Sequence, residues 1–71
     1  MDFINITAHD RHSNDSTSRT FNVKKGNLEE NIEEWENSLI YERFTLSSTD
    51  YIEDYSSEVQ DILEELDVEM I

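Results

Sequence analysis

Two short stretches near the N-terminus have the residue pattern of β-strands. The first is an apolar run with β-branched residues, made of Phe3, Ile4, Ile6 and Ala8. The second, 20–24, alternates apolar and polar residues, so the two are expected to pair as a loose hairpin. The segment 9–19 between them is rich in Ser, Asn and Asp, which predicts a flexible loop.

A helical pattern begins after Gly26, the only glycine of the chain. Asn27 is a favourable N-cap residue, and the glutamates that follow it suit the positive end of a helix dipole. Apolar residues then recur at helical spacing, at Leu28, Ile32, Trp35 and Leu39. This spacing predicts a helix that buries one apolar face, including Trp35, and exposes its glutamates.

The next segment, 40–46, fits two interpretations. Its alternation predicts a third strand with Ile40, Phe44 and Leu46 directed inward. The same residues also allow an extension of the preceding helix. We favour the strand, followed by a turn at 47–49.

The C-terminal segment has the most regular helical pattern. Asp50 is a candidate N-cap with Glu53 three residues later, close to a capping box. The apolar residues that follow at helical spacing are Ile52, Tyr55, Val59, Ile62, Leu63, Leu66 and Met70. They predict one continuous helix from about residue 49 to about residue 69. The apolar end formed by Val68, Met70 and Ile71 either packs on the sheet or contributes to a homodimer.

Together these elements predict a single α+β domain over residues 1–71. We expect a small antiparallel sheet of two or three strands with two helices packed on one face, in the order ββαβα. The chain has no cysteine, which excludes disulfides and cysteine-based metal sites. It also has neither a signal-peptide pattern nor an apolar stretch of about 20 residues. We therefore expect a cytoplasmic protein, located in the host cytoplasm if a phage encodes it.

Charge is the unusual property of this chain. Eighteen acidic and five basic residues give a formal net charge of -13. Residues 1–26 carry three acids and four basic residues, whereas residues 27–71 carry fifteen acids and only Arg43. Such asymmetry is typical of an interaction surface, so segment 28–71 is predicted to be an acidic interaction region.

On the predicted final helix, the carboxylates form a row. Asp50, Asp54, Glu58, Asp61 and Glu65 follow each other in steps of three or four residues. Each step advances about 4.5 to 6 Å along a helix. The phosphates of one nucleic-acid strand are separated by a similar distance, of order 6 to 7 Å. Like charges at i and i+4 destabilise a helix, so helix stability alone does not explain this row.

The predicted partner-binding residues combine this row with neighbouring acids and one aromatic residue. Tyr51 is included because it lies at the edge of the apolar face and aromatic residues are frequent at binding hot spots. The full set is Asp50, Glu53, Asp54, Glu58, Asp61, Glu64, Glu65, Glu30, Glu33, Glu34, Glu36 and Tyr51.

A short, strongly acidic chain with carboxylates on helix surfaces resembles the DNA-mimic inhibitors of phages and mobile elements. This class includes anti-restriction proteins, anti-CRISPR proteins and uracil-DNA glycosylase inhibitors. The resemblance covers charge, size and layout over residues 28–71 and includes no family motif. It implies an inhibitor of a basic nucleic-acid-binding protein, such as a nuclease or a CRISPR effector. Such an inhibitor binds neither nucleic acid nor membrane itself.

Two alternatives from other classes remain open. The chain could be an acidic adaptor or regulatory module that docks on a basic protein without imitating DNA. It could also be a structural or assembly protein of a virus or mobile element, which its small size suggests.

Catalytic and metal-binding motifs are absent from the sequence. There is no glycine-rich phosphate loop and no nucleophile elbow, so we expect no enzymatic activity and no cofactor. His9 and His12 lie near Asp10 and Asp15, but a Ser-rich loop holds metal ligands poorly. The acidic run 50–61 lacks the glycine and the ligand positions of an EF-hand.

Overall fold

Four strands and two α-helices form the structure, a computed structural model that describes residues 1–71. The elements are β1 (Phe3–Asp10), β2 (Ser16–Asn22), α1 (Leu28–Ser38), β3 (Phe44–Ser47), a 3-10 turn (Ile52–Asp54), α2 (Ser57–Glu65) and β4 (Val68–Glu69). The sheet has the order β2-β1-β3-β4. β1 pairs antiparallel with β2 and with β3, whereas β3 and β4 are parallel. The predicted α+β class is confirmed, with one strand more than expected and a mixed sheet.

Strict alternation along β1 places the core on one face of the sheet. Ile4, Ile6 and Ala8 are fully buried, whereas Asn5 and His9, which alternate with them, are exposed. Both helices cover the buried face, and their apolar residues join β1 in one core cluster. Helix α1 contributes the predicted residues Leu28, Ile32 and Trp35. The indole of Trp35 packs edge-on against the ring of Phe21 with 5.5 Å between centroids, which confirms its place in the core.

The hairpin connection is shorter than the predicted loop 9–19. β1 continues to Asp10 and β2 begins at Ser16, so only residues 11–15 connect them. Ser16 and Ser18, which favoured a loop, lie instead on the uncovered polar face of the sheet, opposite His9 and Thr7. There the Thr7 and Ser18 hydroxyl oxygens are 2.7 Å apart across the two strands. Small polar residues suit an exposed strand face as well as a loop, and the composition alone did not separate the two.

β3 begins four residues later than predicted. Ile40, expected to point inward, is 93% exposed, whereas Leu46 is buried and Phe44 is half-buried as expected. Ile40 lies outside the strand because β3 pairs with only four residues of β1, Thr7–Asp10. The residues between α1 and Phe44 cross to the sheet outside any strand, and the last of them, Arg43, accepts a hydrogen bond from the Arg11 N–H at 2.9 Å.

The predicted continuous helix from 49 to 69 is wrong. The chain makes the short 3-10 turn, becomes extended at Tyr55 and Ser56, and then forms the nine-residue helix α2. Ser56 is its N-cap, and the Ser56 side chain accepts a hydrogen bond from the Val59 N–H at 3.3 Å. Asp50 is therefore not a helix cap.

Asp50 and Tyr55 instead complete the edge of β1 where β3 diverges from it. An Asp50 carboxylate oxygen accepts from the Asn5 N–H at 3.1 Å and from the Ser48 hydroxyl at 3.3 Å. The Tyr55 hydroxyl donates to the Phe3 carbonyl at 2.9 Å. These side chains satisfy backbone groups that a longer β3 would have paired. Asp50 and Tyr55 fit a helical spacing in the sequence, but their hydrogen bonds to β1 hold them outside any helix.

The C-terminal end packs on the sheet, which was one of its two predicted arrangements. Asp67 ends α2 with a positive φ of 56° and redirects the chain into β4. Val68 is then buried beside Leu46 in the parallel pair. The Ile71 carbonyl accepts from the Ile52 N–H at 2.9 Å, although the Ile71 side chain remains exposed. Neither helix has the length and apolar character needed to cross a membrane.

Candidate acidic binding surface

Carboxylates from both helices meet at one shallow depression, here called the acidic cleft. Its acidic lining residues are Glu29, Glu33, Glu36, Glu65 and Asp67. The three from α1 lie on one flank of the helix, within an arc of about 60° at 100° per residue. They advance along the helix in steps of about 6 and 4.5 Å. Glu65 and Asp67 approach that flank from the C-terminal end of α2.

Like charges face each other across this cleft. The pKa of Glu29 is raised, chiefly by the negative charge of Glu65, with smaller contributions from burial and from the neighbouring charges of Glu33 and Glu30. Partial burial, followed by the charge of Glu33, raises the pKa of Glu36. A raised carboxyl pKa means that the folded chain disfavours the ionised form. The cleft therefore holds its charges together against their mutual repulsion.

No basic side chain compensates these carboxylates. The one ion pair of the structure joins the Lys24 ammonium to an Asp2 carboxylate at 3.1 Å, between two exposed side chains. Neither helix has a basic residue in its last turn. Glu36 and Glu65 instead lie near helix C-termini, where the helix dipole also disfavours negative charge. Helix stability therefore does not explain where these acids lie.

Asp67 adds backbone strain at the same place. Its left-handed conformation, with φ of 56°, is the one that glycine adopts most easily after a helix. Asp is tolerated there but costs more than glycine. The chain thus has a carboxylate at a position where the helix ending alone favours glycine.

A second depression continues from the cleft towards β4 and is here called the acidic groove. Its floor is apolar, formed by Phe44, Leu46, Leu66 and Val68. Its rim carries four carboxylates and one guanidinium: Glu36, Glu64, Asp67, Glu69 and Arg11. Glu36, Leu66 and Asp67 line both depressions, so the cleft and the groove form one continuous surface.

The predicted carboxylate row is not continuous. Glu58, Asp61 and Glu65 remain aligned on α2, but Asp50 and Asp54 lie before the helix begins. Asp50 has the structural role described above. Glu58 lines a depression together with Lys24 and Lys25, so basic side chains lie near it.

The other predicted residues divide between the new surface and the rest of the molecule. Glu33, Glu36, Glu64 and Glu65 lie in the cleft or the groove. The residues outside both are Glu30 and Glu34, on another flank of α1, and Glu53, Asp54 and Tyr51, in or beside the 3-10 turn. Tyr51 is 54% exposed, as a contact residue requires.

Three acids of this surface were not among the predicted binding residues. Glu29 shares its helix flank with Glu33 and Glu36, so the spacing along α1 contained the information needed to include it. Asp67 and Glu69 were assigned to the end of a long helix, and only the change from α2 to β4 brings them to the groove.

The histidine-containing segment 9–12, where β1 ends and the hairpin turn begins, has no metal-site geometry. The pKa of Asp10 is lowered, chiefly because its carboxylate accepts from the His12 backbone N–H and next because it accepts from the Ser13 hydroxyl. These hydrogen bonds shape the hairpin turn. No group of three or more His, Asp and Glu residues is arranged to hold a metal ion.

Comparison of the chain with protein-family models, curated proteins and solved structures finds no match.

Proposed function

We propose that this protein inhibits a nucleic-acid-binding protein by inserting its acidic cleft and groove into the basic site that normally holds phosphates. One observation carries the proposal: seven carboxylates from α1, α2 and the segment 67–69 converge on one surface, where Arg11 is the single basic side chain. They are Glu29, Glu33, Glu36, Glu64, Glu65, Asp67 and Glu69. Lys and Arg side chains that bind phosphates also bind carboxylates, since both are oxyanions with similar hydrogen-bond geometry.

The α1 flank supports imitation of a nucleic-acid strand. Its carboxylates at 29, 33 and 36 follow each other at about 4.5 to 6 Å, comparable to the separation of successive phosphates. This row replaces the one predicted on the final helix. The net charge of -13 adds long-range attraction to a basic protein and repulsion from nucleic acid.

Charge-neutralising variants with equal net charge test where the partner binds. The cleft variant replaces Glu29, Glu33 and Glu65 by Gln. The control variant replaces the exposed residues Glu42, Glu53 and Glu58 by Gln, which changes the net charge by the same amount at other places. Immobilised wild-type protein and both variants are incubated with a bacterial lysate, and the captured protein is identified and purified.

We expect the wild type and the control to capture the same nucleic-acid-binding protein, and the cleft variant to bind it at least about tenfold more weakly. Excess duplex DNA displaces the captured protein, and its association rate with the wild type falls steeply as salt rises. Equal binding by the cleft and control variants, or capture that duplex DNA does not affect, contradicts the proposal.

The second candidate function is an acidic adaptor that docks on a basic protein without imitating DNA. The apolar floor of the groove favours it, because Phe44 and Leu66 offer contact area that a phosphate-binding site does not use. The same experiment separates the two functions. An adaptor also loses binding in the cleft variant, but duplex DNA does not compete with it.

A further inference from the structure

The acidic groove has an apolar floor that imitation of phosphates does not require. Phe44 and Leu66 are half-buried on this floor, and Leu46 and Val68 beside them are buried. A site that holds phosphates presents Lys and Arg side chains, and carboxylates satisfy these without any apolar contact. The groove therefore fits a partner site that contains more than cations.

The backbone forms this groove by leaving the edge of β3 open. β4 begins at Val68, which pairs with Leu46. Continued by two residues, the same register would set Leu66 opposite Phe44. Leu66 instead caps the C-terminus of α2, and the left-handed Asp67 turns the chain from the helix into β4. No strand therefore lies beside Phe44 on this side of β3.

The open edge presents backbone hydrogen-bonding groups to the groove. The Arg11 N–H donates to the Arg43 carbonyl at 2.9 Å, and the bonded residues of an antiparallel ladder alternate. Thr45 therefore also directs its backbone groups towards β1, whereas the Phe44 N–H and C=O point to the opposite side. β4 does not extend to Phe44, so neither group has a strand partner. The groove thus combines an apolar floor with one donor and one acceptor.

Negative charge is densest at one end of this surface. The cleft carries five carboxylates and no basic side chain, whereas Arg11 lies on the rim of the groove. Glu36 lines both depressions, so the row of carboxylates at 29, 33 and 36 on α1 leads to the apolar floor. An anionic row therefore lies next to an apolar slot that has hydrogen-bonding groups.

A single nucleic-acid strand has the same combination. Its phosphates form one row, and its unstacked bases offer apolar faces with donors and acceptors at their edges. In a duplex the bases are stacked inside, and a protein reaches only their edges in the grooves. An apolar floor that is open to a partner therefore has a counterpart in a single strand and none in a duplex.

Proteins that bind single strands combine a positively charged groove with aromatic side chains on which the bases stack. We propose that the target is a protein of this kind, and that the acidic groove receives one of its aromatic side chains while the cleft contacts its Lys and Arg residues. This inference rests on the proposed function. It narrows the target from nucleic-acid-binding proteins in general to those with an exposed aromatic side chain among basic ones.

The groove suits an aromatic side chain that has cations beside it. The ring packs on Phe44 and Leu66, and the neighbouring Lys or Arg side chains meet the carboxylates of Glu64 and Glu69 on the rim. Contact between aromatic rings stabilises beyond the area that it buries. Salt screens the charge contacts and leaves the apolar contact. Affinity should therefore fall as salt rises, while the preference for an aromatic residue persists.

Two tripeptides of equal charge, Lys-Trp-Lys and Lys-Ala-Lys, test the occupant without the partner. Their binding to the isotope-labelled protein is followed by NMR shifts of the backbone amides. We expect Lys-Trp-Lys to bind at least about fivefold more tightly, with the largest shifts in segments 44–46 and 66–69. Phe44→Ser should remove this preference. The control Ile40→Ser changes an apolar residue that is 93% exposed and lies outside both depressions, and it should retain the preference.

The wild-type protein alone decides this test even if Phe44→Ser does not fold. Equal binding of the two peptides, or shifts confined to the cleft, overturns the inference. Either result leaves the proposed function standing, because charge then accounts for the binding.

The captured partner decides between a single strand and a duplex. A single-stranded oligonucleotide of about 16 nucleotides should displace it at a concentration at least about tenfold below that of the duplex of the same sequence. Equal or better displacement by the duplex overturns the inference and supports the proposed function. Displacement by neither contradicts both and favours the adaptor.

Discussion

Replacement of Asp50 by alanine separates a structural role from a binding role for this residue. Sequence spacing assigned Asp50 to a carboxylate row on a helix. In the structure it lies on no helix, and its carboxylate accepts hydrogen bonds from the Asn5 N–H at 3.1 Å and the Ser48 hydroxyl at 3.3 Å. These bonds replace backbone pairing where β3 leaves β1. We therefore expect Asp50→Ala to destabilise the fold rather than to remove a partner contact.

The expected cost is about 2 kcal/mol. Removing a hydrogen bond to a charged acceptor costs about 1.5 to 3 kcal/mol, and both bonds are long and partly open to water, which places the sum near the lower end. Loss of one negative charge offsets a few tenths of a kcal/mol. A chain of this size has a total stability of about 4 to 10 kcal/mol, so the change is substantial. It corresponds to a fall in Tm of roughly 8 to 16 °C.

Urea unfolding followed by Trp35 fluorescence and circular dichroism measures this change. Glu53→Ala is the matched control, because it removes the same charge from an exposed residue three positions away without breaking any hydrogen bond. We expect the Asp50 variant to unfold at a lower urea concentration with an unchanged slope. A difference below about 0.5 kcal/mol between the two variants refutes the structural role.

Three further outcomes follow from the same structure. The raised pKa values of Glu29 and Glu36 mean that the folded chain binds more protons than the unfolded chain near pH 5, so thermal melts at fixed ionic strength should show a higher Tm at pH 5 than at pH 7. A lower Tm at pH 5 contradicts this. Burial, followed by the charge of Asp50, raises the pKa of Tyr55 from 10.0 to about 12. The free energy of unfolding in urea should therefore fall as pH rises from about 10 to 12, by at most about 1.4 kcal/mol per pH unit, and this slope should shrink in Tyr55→Phe. Asp67→Gly should raise the free energy of unfolding in urea by about 1 kcal/mol, because it relieves the left-handed backbone and removes a repelled charge; a loss of stability contradicts the account of the helix end.

Elements with a clear burial period were predictable from the sequence. Leu28, Ile32 and Trp35 follow one helix face and are all buried, and Ile4 and Ile6 of β1 are buried at strand spacing. In both elements the local period and the position of the core agree. The α+β class follows from these two elements and the turn between them.

The C-terminal third was not predictable in the same way. Tyr55 and Val59 have the spacing of a helical stripe and both are buried, but Tyr55 is extended and its hydroxyl bonds to β1. Tyr55 is therefore buried as expected, but in an extended conformation rather than in the predicted helix. β4 has only two residues and depends on pairing with β3, so no local period indicates it. Asp50 and Asp54 would align with the acids of α2 only if one helix continued through both segments, as predicted.

The arrangement of charge is more specific than solubility requires. Solubility depends on net charge, and acids at any exposed position supply it. Here Glu36 and Glu65 lie at helix ends that disfavour them, and Glu29 faces Glu65 across two helices. Each of these placements costs stability, while the basic residues of segment 16–25 lie near the β2 edge. Acidic and basic residues thus lie on different parts of the surface. The resulting electrostatic field attracts a basic partner towards the cleft and groove.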